Sequence, residues 1–263
     1  MDVDAIRSVW ADNFAAESKH LHEIAPHAQH VALNVQYPGC FFSHTKGTNH
    51  YKLTAEERYD VIRDNVALLT PLQVGVAVRT DDGRRFVWEF NLREFDITSK
   101  NEARDPESIA YLAGRGVDFG RLPRDGIEGY RLRWLLNDSG LIRARPSWAT
   151  FTGAYHVAYF VSMMTGEKLP DSVDDFMKAV RRLFGSSLYD VKRLARGHDR
   201  NCVGALSDIV KKLAVMPPDE TIPKRNPAGT GSTLALMAFE ELKQRLGPNT
   251  DKYRHLLCGL QTA

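Results

Sequence analysis

Apolar and polar side chains alternate from residue 31 to residue 37, and Pro38 and Gly39 end the pattern. This period of two predicts a buried β-strand. Because residues two apart share a face of a strand, Asn34 and Gln36 project together near its carboxyl end, where open α/β sheets bind their ligands. The two amides are therefore candidate site residues, although an edge strand with one hydrated face would explain them equally well.

The first part of the chain combines helical and strand patterns. Apolar residues spaced three and four apart predict a long amphipathic helix from Asp4 to just before Pro26. Thr54-Ala55-Glu56-Glu57 forms a capping box that starts a second helix. Two alternating segments, 73–79 and 86–90, flank an Asp-Gly pair and predict a β-hairpin.

Helices dominate the rest of the chain, with two short extended segments at 147–151 and 188–190. The spacing predicts helices over 105–115, 126–137, 153–166, 171–184, 191–195, 203–213 and 232–246. In the helix at 126–137, we expect Tyr130, Trp134 and Leu135 to face inward. No repeat, linker or break in composition divides the sequence, so we expect one α/β domain over residues 1–263.

Composition excludes several classes of protein. The apolar share of 43% and the charged share of 26% are ordinary for a globular domain. A net charge of +2 creates no overall attraction to nucleic acid. The chain has no run of 18 apolar residues and begins with the acidic Asp2 and Asp4, so we expect no membrane span and no secretory signal. We expect it in the cytoplasm and nucleus.

Common short sequence motifs do not identify a chemical function for this chain. Cys40, Cys202 and Cys258 are far apart and in no C-x-x-C arrangement, so we expect reduced packing residues. The sequence contains no P-loop, no G-x-S-x-G and no H-E-x-x-H motif. Basic residues concentrate between Arg181 and Lys212 and could contact phosphate, but solvated helix faces with interspersed acidic residues explain them better.

Longer segments carry a more specific pattern, in a fixed order along the chain. They are Ile6-Arg7-x-Val9-Trp10-Ala11-Asp12-Asn13, Ala32-Leu33-Asn34-Val35-Gln36-Tyr37-Pro38-Gly39, Leu72-Gln73-Val74-Gly75, Phe86-Val87-Trp88-Glu89-Phe90-Asn91-Leu92-Arg93-Glu94-Phe95, Tyr189-Asp190-Val191-Lys192 and Lys252-Tyr253-x-x-x-Leu257-x-Gly259-Leu260. Together these segments resemble the CCR4-associated-factor (CAF/POP) deadenylases of eukaryotes. The resemblance extends from residue 6 to residue 260.

The resemblance implies a ribonuclease H-like fold, with a mixed central sheet surrounded by helices, of the DEDD exonuclease superfamily. It also implies action on the poly(A) tails of mRNA within the CCR-NOT complex, together with a NOT scaffold and a leucine-rich-repeat nuclease. In that family, four acidic residues hold two Mg²⁺ ions. Carboxylates suit this role because hard cations that clamp a phosphodiester need anionic oxygen ligands.

This sequence departs from the family pattern at each of those positions. The D-x-E pair corresponds to Asn34 and Gln36, and the next Asp corresponds to His156 in the run from Trp148. The last Asp corresponds to Gly231, and the family histidine before it corresponds to Asn226. No carboxylate remains, so the resemblance implies a pseudo-nuclease without bound metal.

Three functions stay open at this point. The chain could act as a scaffold, competitor or regulator in poly(A) tail turnover without cutting RNA. It could be an active 3′–5′ exoribonuclease with a rebuilt metal site that uses His156 with His44 or His50, since transition metals accept nitrogen ligands. It could also be a module that binds poly(A) RNA without cutting it, because the loss of four negative charges lowers repulsion of phosphate.

Overall fold

The described residues of the computed structural model, 6–43, 52–216 and 221–261, form an α/β fold. The strands are β1 (Ile6–Val9), β2 (Ala28–Gln36), β3 (Gln73–Thr80), β4 (Arg85–Asn91), β5 (Ser147–Thr150) and β6 (Leu188–Asp190). The α-helices are α1 (Phe14–Ile24), α2 (Ala55–Leu68), α3 (Pro106–Gly114), α4 (Leu122–Asp125), α5 (Gly129–Asp138), α6 (Ala154–Thr165), α7 (Val173–Phe184), α8 (Val191–His198), α9 (Leu206–Lys212) and α10 (Pro227–Leu246).

The six strands make one mixed sheet in the order β1-β4-β3-β2-β5-β6. The central strands β2, β3 and β4 are antiparallel neighbours. The outer strands pair in parallel, β1 with β4, β5 with β2, and β6 with β5. The predicted hairpin and the mixed central sheet surrounded by helices are confirmed.

Helices cover both faces of this sheet. Val31, Leu33 and Val35 of β2 belong to a core that includes apolar residues of α1, α2, α6 and α7. The opposite face of β2 and β3 lies under α10, where Ala32 and Ala77 belong to a second apolar cluster. The polar residues Asn34 and Gln36 lie on the face that α10 crosses, because strand side chains alternate between faces.

Two predicted boundaries are wrong. Residues 6–9 form β1 instead of the start of a helix, and α1 begins only at Phe14. The cause is non-local, since Ile6–Val9 pair with residues 87–90 of β4. Helix α10 starts at Pro227, five residues before the predicted position, because proline suits the first helical turn.

The expected inward side of α5 is also partly wrong. Leu135 is buried, but the side chains of Tyr130 and Trp134 are 50% and 65% exposed. The buried stripe of the helix consists of Leu132, Leu135 and Leu136 instead. The two aromatic rings therefore lie on the surface, in edge-to-face contact.

Two sequence expectations concern disulfides and membranes. Within the described residues the three cysteines form no disulfide bond, Cys202 and Cys258 are buried as expected, and Cys40 is exposed, contrary to a packing role. Within residues 6–43, 52–216 and 221–261, none of the helices has the length and apolarity needed to cross a membrane.

Candidate functional site

The two amides at the end of β2 form a closed pair. Asn34 is 9% exposed, and its Oδ1 accepts a 2.6 Å hydrogen bond from Nε2 of Gln36. Across the sheet, Asn34 pairs with Gly75 and Gln36 pairs with Gln73. The predicted arrangement, with both amides on one face at the carboxyl end of a central strand, agrees with this geometry.

The first turns of α10 pack against the Asn34 side chain. A Cβ atom on Gly231 would lie 2.7 Å from Cγ and Nδ2 of Asn34, well inside van der Waals contact. The helix backbone therefore rests directly on the Asn34 amide. A side chain at position 231 requires Asn34 to move.

Asn226 is the residue immediately before α10. It adopts the left-handed conformation, with φ 53° and ψ 60°, immediately before Pro227. Asparagine tolerates this region better than most residues. Its carbonyl oxygen accepts a 2.8 Å hydrogen bond from the Thr230 N–H. Asn226 thus begins the helix that carries Gly231.

His156 lies in the first turn of α6 and reaches the edge of β2. The Val35 N–H donates to its Nδ1 at 3.1 Å. Burial lowers the pKa of His156 to about 4, so the ring is neutral at pH 7 with its proton on Nε2. The structure therefore places His156 against the β2 backbone at Val35, between the two amides in sequence, while His44 and His50 lie outside the described residues.

The residues present do not fit a pair of magnesium ions. Asn34, Gln36, His156 and Gly231 supply no carboxylate, and Oδ1 of Asn34 already accepts a hydrogen bond. In the described part of the chain, no three His, Cys, Asp or Glu side chains are grouped closely enough to hold a metal ion. Magnesium requires anionic oxygen ligands in near-octahedral geometry, which this donor set does not offer.

Sequence reasoning missed two buried carboxylates near this site. Asp190, at the end of β6, has no exposed surface and accepts hydrogen bonds from four backbone N–H groups. The donors are Gly153 at 2.7 Å, Cys258 at 2.9 Å, Lys192 at 3.0 Å and Thr152 at 3.2 Å. Burial raises the pKa of Asp190 and these bonds oppose the rise. Its oxygens are committed to fixing the start of α6.

Glu89 is the second missed carboxylate. It lies on β4, opposite Gly75, which in turn lies opposite Asn34, so all three residues occupy one row across the sheet. Its Oε2 accepts a 3.0 Å hydrogen bond from the Gly229 N–H of α10. The sequence did contain a signal for a buried carboxylate, because Glu89 is a charged residue inside the apolar segment 86–90. It lies on the same strand face as the buried Asn91.

The fold and the position of this site define the class of protein. The six-stranded mixed sheet, with α10 across one face and a polar site at the carboxyl end of a central strand, is a ribonuclease H-like arrangement, as the resemblance implied. A family model described as "CAF1 family ribonuclease" matches residues 9–133.

Curated relatives agree with this class. The "Probable CCR4-associated factor 1 homolog 10" of Arabidopsis thaliana is 32% identical over 97% of this chain and 92% of its own length. The "Poly(A) ribonuclease pop2" of Schizosaccharomyces pombe is 28% identical over 92% of this chain and 70% of its own length. The chain belongs to the CAF1 family of ribonucleases.

Solved structures extend the likeness to three dimensions. S. pombe Pop2p, solved in a form with bound Mg²⁺ and Mn²⁺, is similar with a TM-score of 0.82 and 26% identity, over 97% of this chain and 100% of that one. A yeast CAF1 co-crystallised with the NOT1 MIF4G domain shares the fold, with a TM-score of 0.75 and 21% identity over 98% of both chains.

Proposed function

We propose that this chain is a non-catalytic CAF1-family protein that acts by binding, as a scaffold, competitor or regulator within a NOT-containing deadenylation complex. One observation carries the proposal. The positions that the resemblance assigns to metal-binding acids hold Asn34, Gln36, His156 and Gly231, none of which carries a carboxylate, and Gln36 donates to Asn34.

The closure of the amide pair supports loss of metal binding. Gln36 donates to Asn34, and the backbone of α10 at Gly231 fills the space above Asn34. His156 accepts from the backbone of β2 through Nδ1. Each group has a role in packing or hydrogen bonding, and the site needs no cation to balance negative charge.

The expected loss of activity is large. Loss of a residue that only supports a metal ligand typically costs about 10- to 100-fold in affinity or activity. Replacement of four ligands should cost at least roughly 10⁴-fold, even with strong non-additivity. Hydrolysis by a two-metal mechanism would then be negligible.

An exposed aromatic surface supports the binding role. A groove of about 760 Å³ runs beside α5, and its walls include the exposed Tyr130 and Trp134. Phe14, Leu135 and Ile142 supply further apolar lining. Exposed apolar surface with aromatic anchors is typical of protein interfaces. Because a yeast CAF1 was co-crystallised with a NOT1 domain, we propose a NOT scaffold as the partner of this groove.

A deadenylation assay tests the catalytic part of the proposal. The purified chain is incubated with labelled poly(A) and Mg²⁺, Mn²⁺ or Zn²⁺, beside the variant Asn34→Asp, Gln36→Glu, His156→Asp, Gly231→Asp. We expect no shortening by the natural chain and measurable shortening by the variant. Metal-dependent shortening by the natural chain would reject the proposal and favour the rebuilt metal site.

An association experiment tests the binding part. The chain is mixed with a purified NOT scaffold, and separately with a leucine-rich-repeat nuclease subunit. We expect a stable complex with the NOT scaffold at micromolar concentration. The second mixture shows whether the chain also binds the leucine-rich-repeat nuclease subunit. Absence of both complexes would reject a role in this assembly.

A further inference from the structure

Glu89 is a carboxylate held inside the protein without a cation beside it. Its side chain is almost fully buried, since the residue is 1% exposed. It accepts hydrogen bonds from the Gly229 N–H at 3.0 Å and from Nε2 of Gln73 at 3.2 Å. Isolated buried charges are costly, and such groups commonly take up a proton instead.

The groups that face Glu89 carry no charge. They are Ile6 and Ser8 from β1, Gln73 and Gly75 from β3, Val87 and Asn91 from β4, and Ala228 and Gly229 from α10. None of them has a side chain that titrates below pH 12. Burial raises the pKa of Glu89 to about 7, and only backbone N–H groups of α10 and the Gln73 amide oppose the rise.

Gln73 gives independent evidence that this cluster lacks a hydrogen-bond donor. Its Nε2 donates to Glu89 and, at 2.7 Å, to Oδ1 of Asn91. Its Oε1 is buried and has no hydrogen-bond partner within the described residues. A buried acceptor without a donor costs about 1–3 kcal/mol. A proton on Glu89 would add an O–H donor to the same group of side chains.

We propose that Glu89 is a proton-dependent latch, which holds the first turn of α10 on the sheet when protonated and lets that turn open when charged. The latch lies at the contact between Glu89 and Gly229. The same turn leads to Gly231, whose backbone covers Asn34. Opening of the latch therefore exposes the amide pair, and the latch controls access to the candidate site. The inference does not depend on the proposed function.

The sign of the effect follows from linkage. In the closed state Glu89 titrates near pH 7, and in an open, hydrated state it titrates near its ordinary pKa of 4.5. The closed state thus binds the proton more tightly, so acid favours closure and opening increases as the pH rises through this interval. Between pH 5 and pH 8, the opening equilibrium should rise roughly 70-fold.

Hydrogen exchange at the Gly229 amide measures this opening. Protection factors, corrected for the intrinsic pH dependence of exchange, are obtained by NMR at pH 5 to 8 for the full chain. We expect the Gly229 protection factor to fall roughly 70-fold over this range. Global unfolding also exposes Glu89, so the protection of amides at the centre of β3 should fall by the same factor. The latch requires a local opening, so Gly229 should be less protected than these β3 amides at every pH. A Gly229 protection factor that does not depend on pH, or that equals that of the β3 amides, would overturn the proposal.

Two variants and one titration complete the test. Glu89→Gln keeps the shape but cannot ionise, so its Gly229 protection should not change with pH. Glu107→Gln removes an exposed glutamate of α3 and should behave as the natural chain does. If the Gly229 protection factor changed equally with pH in Glu89→Gln and in the natural chain, the latch would be overturned. If Glu89→Gln does not fold, ¹³C-carboxyl NMR of the natural chain is combined with the exchange data. A glutamate midpoint near 7, together with a Gly229 protection factor below that of the β3 amides, supports the latch, and midpoints all below 5.5 overturn it.

Discussion

The amide site and the groove beside α5 are built in opposite ways. At the amide site, Asn34 accepts from Gln36 and is covered by the backbone of Gly231. In the groove, Trp134 is 65% exposed on the surface of the chain. The comparison suggests a simple rule. Changes around the amide site should alter the free energy of unfolding, and changes in the groove should alter partner binding.

The largest effect is expected at Asp190, which fixes the start of the helix that carries His156. Asp190→Ala leaves four backbone N–H groups without an acceptor, of which those of Gly153 and Cys258 are buried, and should lower the free energy of unfolding by about 4 kcal/mol. Urea denaturation measures the change. Asp174→Ala, at an exposed position of α7, is the control and should stay within about 0.5 kcal/mol. A loss below 1 kcal/mol for Asp190→Ala would contradict the assigned role.

The next effect concerns pH. The pKa of Glu89 is raised to about 7 in the folded chain, from its ordinary value of 4.5 in the unfolded chain. Between these two values the folded chain binds a proton at Glu89 and the unfolded chain does not, so protonation stabilises the folded chain there. Its contribution to stability is therefore lost as the pH rises. The free energy of unfolding of the natural chain, relative to Glu89→Gln, should fall by about 2.5 kcal/mol between pH 5 and pH 8. If the free energy of unfolding of the natural chain and that of Glu89→Gln changed equally with pH, this prediction would be contradicted.

The groove gives the third prediction. Trp134→Ala should weaken binding of a NOT scaffold by about 2 kcal/mol, or roughly 30-fold, and leave the free energy of unfolding nearly unchanged, because exposed aromatic anchors contribute to interfaces more than to folding. Calorimetric titration measures the affinity. Tyr111→Ala is the matched control, since Tyr111 is 63% exposed but lies on α3 outside the groove. Equal loss in both variants, or no loss in either, would remove the groove as the docking surface.

The smallest effect is expected at Gly231. Gly231→Ala places a Cβ atom 2.7 Å from the Asn34 side chain and should cost about 1 kcal/mol through overpacking. Gly114→Ala is the control, because a Cβ atom there meets no atom within 4 Å. Combining Gly231→Ala with Asn34→Ala should recover part of the loss, which a double-mutant cycle measures. A neutral Gly231→Ala would show that the cover over Asn34 is looser than its geometry implies.

Local patterns were sufficient for much of the fold. The alternation at 31–37 identified β2, the Asp82-Gly83 pair identified the hairpin, and Thr54 caps α2 as expected. Each of these signals depends on neighbours in sequence. The fold class and the position of Asn34 and Gln36 could therefore be predicted.

Features that depend on distant residues could not be predicted in this way. Strand β1 exists because β4 pairs with it, and its apolar spacing also fits a helix. The exposure of Tyr130 depends on which stripe of α5 meets the core, which periodicity alone does not determine. Asp190 and Glu89 acquire their roles from backbone groups of other elements, including Gly153 and Gly229.

Titration of the natural chain with Mn²⁺ and Mg²⁺ by calorimetry is the most direct test of the central proposal, that the amide site does not bind metal. The fourfold variant Asn34→Asp, Gln36→Glu, His156→Asp, Gly231→Asp, which introduces the acidic side chains that the resemblance implies, is the positive control. We predict no saturable binding by the natural chain at millimolar metal and saturable binding by the variant. Saturable binding by the natural chain that His156→Ala abolishes would contradict the account.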